Sequence, residues 1–219
     1  SNSDGTTSGK NIVLMSRDGA ATTFLDGENK RVFNIEDQTD TTLQIIGFTI
    51  TASNGGEDDG SGSVVKIQGY QLWNNNSQST YYTSGVTFKN CVFTMFDSGD
   101  LEAASDWEQA AVYIDISNTV FDNCEFTNIT VDNPSSGNTS YGGAVLLKGG
   151  TLLFNRSKLT NITLKKTGQV GGNISGAVLA VDSYGSADVT LVNTIVANNS
   201  LSYASISNFY PSGGVISYN

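Results

Sequence analysis

A seven-residue pattern returns along this chain at a fixed distance of 33 residues, and a second pattern keeps the same period. The copies of the first are FKNCVFT at 88–94, FDNCEFT at 121–127 and FNRSKLT at 154–160. The copies of the second are AVYID at 111–115, AVLLK at 144–148 and AVLAV at 177–181. A repeat of this length is one supersecondary unit that buries its apolar face only by stacking on a neighbouring unit. The period therefore predicts a solenoid in which residues 33 apart are neighbours on adjacent coils.

Weaker copies extend the series toward both ends of the sequence. LVNTIVA at 191–197 follows the third copy after 37 residues, and GVISY at 214–218 follows AVLAV after the same interval. LQIIGFT at 43–49 precedes the first copy by 45 residues. Earlier short strands are expected in NIVLM at 11–15, TFLDG at 23–27 and VFNI at 32–35. Together these segments predict roughly six coils.

Within each copy, apolar and polar residues alternate with the period of a β-strand. Phe121, Cys124 and Phe126 then face the interior, and Asn123 marks a tight turn between two strands. The expected inward columns are Phe88, Phe121 and Phe154; Phe93, Phe126 and Leu159; and Val112, Val145 and Val178. Coils stacked about 4.8 Å apart form parallel sheets.

The charged residues of the outward columns support this register. The expected pairs are Lys89 with Asp122, Asp115 with Lys148, and Glu125 with Lys158. Each pair places opposite charges on adjacent coils. An exposed ion pair contributes only about 0–1 kcal/mol, so these columns indicate the register and add little stability.

Two columns of asparagine are expected at turns. One contains Asn90, Asn123 and Asn193, and the other contains Asn128, Asn161 and Asn198. Asparagine tolerates left-handed backbone, and stacked amides bond to the coils above and below. The patterns as a whole predict an all-β fold, a right-handed parallel β-helix with its loops on one side. Residues 1–10 are expected to form a polar tail, and residues 11–219 a single solenoid domain.

Two sets of residues resemble known families of this fold. GKNIVLMSRDGAATTFLDG at 9–27, followed by TTLQIIGFTIT at 41–51, resembles the opening of pectin-lyase-like right-handed β-helix proteins. GGAV at 142–145, SGAV at 175–178 and GGVI at 213–216 resemble the GGA-I/V motif of chlamydial polymorphic outer-membrane proteins and archaeal adhesin-like proteins. The resemblance implies a protein of the cell surface or extracellular space that serves display and adhesion.

Composition restricts the partners and the chemistry. The chain has 21 acidic and 11 basic residues, a net charge of −10, which repels the phosphates of nucleic acids. We expect no membrane insertion, because no apolar run approaches the length of about 18 residues that a spanning helix needs. Histidine is absent from the sequence, which excludes Ser-His-Asp and Cys-His nucleophile systems and most zinc sites.

A polysaccharide-cleaving enzyme is the main alternative, because many members of this fold are lyases or hydrolases. The arginines are Arg17, Arg31 and Arg156, and no acid cluster is expected beside Arg156. A hydrolase needs carboxylates that converge at about 5–10 Å, whereas the acids of the columns face lysines. We therefore expect no enzyme but a structural or adhesive module. Its expected partners are other copies, bound head to tail through the solenoid ends into a filament or surface layer, and a glycan or surface receptor.

The loops hold the candidate binding residues. Trp107 is a candidate for stacking on a sugar ring, with Asp97, Asp100, Asp106 and Glu108 as neighbouring ligands; the alternative is that Trp107 packs the loop onto the coils. Glu57, Asp58 and Asp59 are candidate calcium ligands, and a solvated acidic loop is the alternative. No other cofactor is expected.

The cysteines and the sequons are the remaining candidates. Cys91 and Cys124 share an inward column with a spacing of about 4.8 Å. A disulfide needs Cβ atoms about 3.5–4.5 Å apart, so a disulfide and a pair of buried thiols both remain open. Asn75, Asn138 and Asn173 are candidate N-glycosylation sites because their sequons fall in expected loops.

Overall fold

The structure, a computed structural model, describes a large part of the chain. The described residues are 11–28, 30–36, 42–52, 64–73, 79–82, 84–94, 110–132, 140–141, 143–165, 174–182, 187–202, 209–212 and 215–218. Within them the chain forms β-strands and turns and no helix, which confirms the predicted all-β class.

The strands follow one another in short segments. The first twelve are β1 (Asn11–Met15), β2 (Phe24–Asp26), β3 (Phe33–Glu36), β4 (Thr42–Ile46), β5 (Thr49–Thr51), β6 (Val65–Gln68), β7 (Tyr70–Trp73), β8 (Ser79–Tyr82), β9 (Ser84–Lys89), β10 (Val92–Thr94), β11 (Val112–Asp115) and β12 (Ser117–Asp122). The others are β13 (Glu125–Asp132), β14 (Ser140–Tyr141), β15 (Val145–Leu147), β16 (Gly150–Asn155), β17 (Lys158–Lys165), β18 (Ile174–Ser175), β19 (Leu179–Asp182), β20 (Ala187–Val192), β21 (Ile195–Ala197), β22 (Ser200–Ser202), β23 (Phe209–Ser212) and β24 (Val215–Tyr218).

Parallel pairing stacks most of these strands into three sheets. The first sheet has the order β1-β4-β9-β12-β16-β20-β24, the second has the order β2-β5-β10-β13-β17-β21 with β22 also beside β17, and the third has the order β3-β6-β11-β15-β19-β23. An antiparallel hairpin of β7 and β8 and a short parallel pair of β14 and β18 lie outside these sheets. The chain visits the first, second and third sheets in turn, so the described residues form the predicted parallel β-solenoid.

The period of 33 residues is the pairing register of the middle coils. Phe121 pairs with Phe88 on one side and with Phe154 on the other, and Glu125 pairs with Lys158. About three coils, which begin at β9, β12 and β16, keep this spacing, compared with the roughly six coils predicted. Strands on either side of them join the same sheets at other spacings.

The predicted spacing of 45 residues for the earliest copy is wrong by two. Ile45 pairs with Phe88, 43 residues later. In this register Gly47 takes the place of Asn90, and both have left-handed backbone, with φ of 77° and 54°. Glycine adopts that conformation without a steric penalty. It therefore replaces asparagine at the turn, and matching the aromatic residues alone misplaces the strand.

Two predicted matches in later coils are also wrong. Val145 pairs with Leu179 and not with Val178, because the connection from β17 to β18 is one residue longer than the connection from β13 to β14. GVISY is not in the third sheet: β24 lies beside β20 in the first sheet, and β23 lies beside β19 in the third. Strands of the two sheets share the same alternation, so a short copy does not reveal which sheet it joins.

Phenylalanine rings form the centre of the core, as the inward columns predict. Phe121 stacks on Phe88 and on Phe154, with ring centroids 5.2 and 5.1 Å apart. Phe93 and Phe126 form a second stack at 4.4 Å, and the stacks meet edge to face. All five side chains are buried, so the aromatic contacts continue from coil to coil.

The third sheet is buried on both faces. Val112 and Val145 face the main core, while the outer side carries a second buried cluster of Ala110, Tyr113, Leu146 and Ala180. Lys148, predicted to form an exposed column with Asp115, lies on the same side as Leu146 and is only 4% exposed. The predicted exposure is therefore wrong for Lys148, whereas its predicted position opposite Asp115 agrees with the pairing of Ile114 with Leu147. Parallel strands that are covered on both faces have nearly continuous apolar sequences, which AVLLK and AVLAV resemble.

Candidate functional site

The passage from the first sheet to the second is the most regular part of each coil. Two residues separate β4 from β5, β9 from β10, β12 from β13, β16 from β17, and β20 from β21. We call this two-residue turn the corner. Its first residue has left-handed backbone in every case: Gly47, Asn90, Asn123, Arg156 and Asn193. The predicted asparagine column is thus confirmed, with Arg156 in its third place.

The second predicted asparagine column is confirmed as well. Asn128, Asn161 and Asn198 have φ of 54°, 57° and 57°. The next residue, Asn199, was not predicted to take part in the structure. Its amide oxygen accepts a hydrogen bond from the Ile162 N–H at 2.9 Å, and its Nδ2 donates to the Leu159 carbonyl at 3.0 Å. A side chain thus supplies the coil-to-coil hydrogen bonds where the ladder of β17 and its neighbours is interrupted.

Polar side chains at the corner bond from coil to coil. Asn123 donates from Nδ2 to the Asn90 Oδ1 at 2.8 Å, and Asn155 donates to the Asp122 Oδ1 at 2.9 Å. Arg156 Nη2 donates to both oxygens of Asp122, at 2.7 and 2.9 Å. The stacked amides predicted from the sequence are therefore shown for Asn90 and Asn123.

Asp122 has a different charged partner from the one predicted. Its Cα neighbour is Lys89, as expected, yet its carboxylate is held by Arg156 on the other side. Arg156, beside which no acid cluster was expected, thus has the single carboxylate of Asp122 as its partner. A planar guanidinium forms two parallel hydrogen bonds with a carboxylate, which an ammonium group does not.

We expect Asn123→Ala to lower the free energy of unfolding by about 1–2 kcal/mol, because alanine is strained in left-handed backbone. Asn123→Gly keeps the backbone conformation and removes only an exposed amide hydrogen bond, so its loss should be the smaller one. Urea denaturation of the two variants measures both values. A larger loss for the glycine variant would contradict the backbone explanation.

Behind the corner, a column of small side chains donates hydrogen bonds into the core. It consists of Cys91, Cys124, Ser157 and Thr194. Each donates to the carbonyl two residues earlier and to a first-sheet carbonyl of the preceding coil, at 2.9–3.6 Å. The sequence indicated that small size is required here. The requirement for a donor becomes visible only once the facing carbonyls are known.

The two cysteines are free and buried, 1% and 2% exposed. A hydrogen bond from the Cys124 thiol, aided by backbone N–H groups, lowers the pKa of Cys91 to about 7 against the opposing effect of burial. Burial raises the pKa of Cys124 well above its ordinary value, and its hydrogen bond to Cys91 raises it further. Cys91 is thus the thiol that loses its proton more readily near neutral pH, while Cys124 stays protonated.

A cleft of about 250 Å³ lies over the corner. It is lined by Asn90, Cys91, Val92, Asn123, Cys124, Glu125, Arg156 and Lys158. The positive charges of Arg156 and Lys158 are balanced by Asp122, which binds Arg156, and by Glu125, which pairs with Lys158 in the register. The charged side chains that line the cleft therefore nearly cancel one another.

The two ends of the solenoid present strand edges that have no partner among the described residues. At one end these are β1, β2 and β3, and at the other end β24, β23 and the second-sheet strands β21 and β22. The first end is apolar: Ile12 and Leu14 are 47% and 41% exposed, although Ile45, the neighbour of Leu14, is fully buried. Val13, Met15 and Phe24 are exposed beside them.

Most of the loop residues singled out in the sequence lie outside the described residues. They are Trp107, Asp97, Asp100, Asp106 and Glu108; Glu57, Asp58 and Asp59; and Asn75, Asn138 and Asn173. Within the described ranges, no group of three or more metal-binding side chains occurs. No helix there is long and apolar enough to cross a membrane.

No protein-family model, curated protein or solved structure matches the chain at a significant level.

Proposed function

We propose that this chain is a non-enzymatic structural module of the cell surface or extracellular space, which stacks end to end with further copies of itself. The observation that carries this proposal is the exposed apolar strand β1, whose outer edge has no partner strand among the described residues. Unpaired edges with apolar side chains are templates for pairing with another chain. The resemblance to pectin-lyase-like and adhesin-like proteins supports the proposed location.

The geometry of the ends favours a second copy as the partner. All three sheets are parallel; each begins at one edge strand, and at the far end the first and third sheets end in one strand while the second ends in β21 and β22. A copy placed on the first end therefore meets β1, β2 and β3 with strands of the same direction and the same three-sheet arrangement. Stacking of this kind continues three hydrogen-bond ladders at once and covers Ile12 and Leu14. It is a heterologous contact that builds filaments when it does not close into a ring.

Charges that pair between adjacent coils support a structural role. Asp122 is bound by Arg156 and Asn155, and Lys66 pairs with Glu36 across two coils of the third sheet at 3.5 Å. Each of these carboxylates is thus engaged by a basic residue of an adjacent coil.

Val13→Pro tests the proposal with little change to the protein itself. Ser16 N–H bonds to β4, and alternate residues of a strand direct their backbone groups to opposite sides. The Val13 N–H therefore points to the open edge. Proline removes this donor and is tolerated on edge strands. We expect the wild-type chain to form filaments or oligomers with rising concentration, and the variant to remain monomeric in sedimentation and electron microscopy.

Val13→Thr is the matched control, because threonine keeps the N–H and suits a strand; it should assemble like the wild type. A wild-type chain that stays monomeric at all concentrations would overturn the proposal. If the chain assembles only after residues 1–10 are deleted, that segment, and not a second copy, covers the outer edge of β1 in the intact chain. Unchanged assembly of Val13→Pro would place the contact elsewhere.

A further inference from the structure

We propose that Cys91 and Cys124 form a dithiol site that hydrogen peroxide oxidises to a disulfide between adjacent coils. The corner register supplies the geometry. Val92 pairs with Glu125 immediately after the two cysteines, and the Glu125 N–H donates to the Cys91 carbonyl at 2.9 Å. Neighbours in this register are about 4.8 Å apart, which lies within the range of about 4.4–6.8 Å between Cα atoms of disulfides and just beyond the range of about 3.5–4.5 Å between their Cβ atoms. Formation of the bond therefore needs only a small approach of the two coils.

The surroundings give the two sulfurs different roles. The thiolate is the reactive form of cysteine, and the hydrogen bond that Cys124 donates favours it at Cys91. Burial keeps Cys124 protonated. Cys91 is therefore the sulfur that attacks the oxidant, and Cys124 is the sulfur that resolves the product.

The size of the cleft over the two buried sulfurs determines which oxidant can reach them. Both side chains are nearly fully buried, but both residues line the corner cleft. A cleft of about 250 Å³ over buried sulfur admits hydrogen peroxide, which is little larger than water, more readily than a bulky disulfide reagent. The site is thus suited to peroxide chemistry.

The reaction has two balanced steps. The Cys91 thiolate attacks one peroxide oxygen and the O–O bond breaks. The hydroxide that leaves takes up the proton that Cys91 had released, which gives one water and the sulfenic acid of Cys91. The Cys124 sulfur then attacks the Cys91 sulfur, the S–O bond breaks, and the departing hydroxide leaves as a second water with the Cys124 proton. Two thiols are oxidised to one disulfide while one peroxide is reduced to two waters.

Serine variants of both positions should fold, because the chain already has a serine in this column. Ser157 donates to the Phe121 and Asn155 carbonyls at 3.0 Å, just as Cys124 donates to the Phe88 and Asp122 carbonyls. Cys124→Ser thus removes the resolving sulfur and keeps a donor. Its circular dichroism spectrum should match that of the wild type.

The test treats the reduced full chain with hydrogen peroxide, removes the excess with catalase, and then denatures and alkylates the protein for mass spectrometry. We expect the wild type to lose both thiols together, to lose the mass of two hydrogens, and to yield one peptide pair that joins Cys91 to Cys124. Cys124→Ser should instead gain one oxygen at Cys91, which dimedone traps. Two surviving thiols in the wild type, oxygen addition without the cross-link, or a disulfide between two chains would each overturn the proposal.

Discussion

Phe121→Ala lowers the free energy of unfolding by about 3–5 kcal/mol, as expected for the loss of a fully buried aromatic side chain. Phe121 is 0% exposed and contacts four other rings. It belongs to the middle one of the coils that keep the 33-residue register. The cavity that alanine leaves is therefore bounded by core residues of the coils on both sides. Because each coil contacts only its neighbours, the loss weakens both interfaces of this coil. Urea denaturation followed by circular dichroism measures the change.

Phe24→Ala is the matched control, since it makes the same chemical change on a side chain that is 57% exposed. Its effect on the unfolding free energy should stay within about 0.5 kcal/mol at concentrations where the chain is monomeric. Similar losses for the two variants would show that the aromatic stack is not the centre of the core.

Gly150→Ala is expected to destabilise the chain by about 2–5 kcal/mol, the combined effect of backbone strain and overpacking. Gly150 has φ of 93°, and a Cβ there would lie 2.1 Å from the Ser117 carbonyl oxygen of the preceding coil. Backbone atoms cannot move away as a flexible side chain can. The whole first-sheet strand β16 must therefore shift against β12, and the midpoint of urea denaturation reports the loss.

Gly149→Ala is the matched control. It distinguishes the clash and the backbone strain at Gly150 from the general effect of replacing a glycine by alanine. The nearest atom to a Cβ at Gly149 is the Ile116 nitrogen at 3.5 Å, an ordinary contact, and its φ is not left-handed. Its effect should be smaller than about 1 kcal/mol, because alanine also restricts the unfolded chain. If both alanine variants lose the same stability, close approach of the coils at Gly150 is not the cause.

Much of the solenoid follows from the sequence, because the period of 33 residues fixes which residues are neighbours. The phenylalanine columns, the left-handed asparagines and the pairing of Glu125 with Lys158 all depend only on that period. They are local consequences of stacking identical units.

The errors arise where the period changes or where a side chain has a choice of partners. Gly47 replaces asparagine at a corner, and chemical similarity does not reveal that both residues share left-handed backbone. Asp122 has a basic residue on either side, and the choice of Arg156 over Lys89 depends on hydrogen-bond geometry. The donor column of Cys91 and Ser157 needs the positions of carbonyls in the preceding coil. The burial of Lys148 depends on what covers the third sheet.

The constant length of the corner makes the coils interchangeable modules. From Gly47 to Asn193 the first two sheets are always joined by two residues, whereas the second and third sheets are joined by stretches of different length. An in-frame duplication or deletion in the gene that covers one whole coil leaves the columns of the remaining coils aligned. Length changes between the second and third sheets leave the corner untouched. The loops and the number of coils can therefore change independently of each other. The constant two-residue corner keeps the first and second sheets in register in either case.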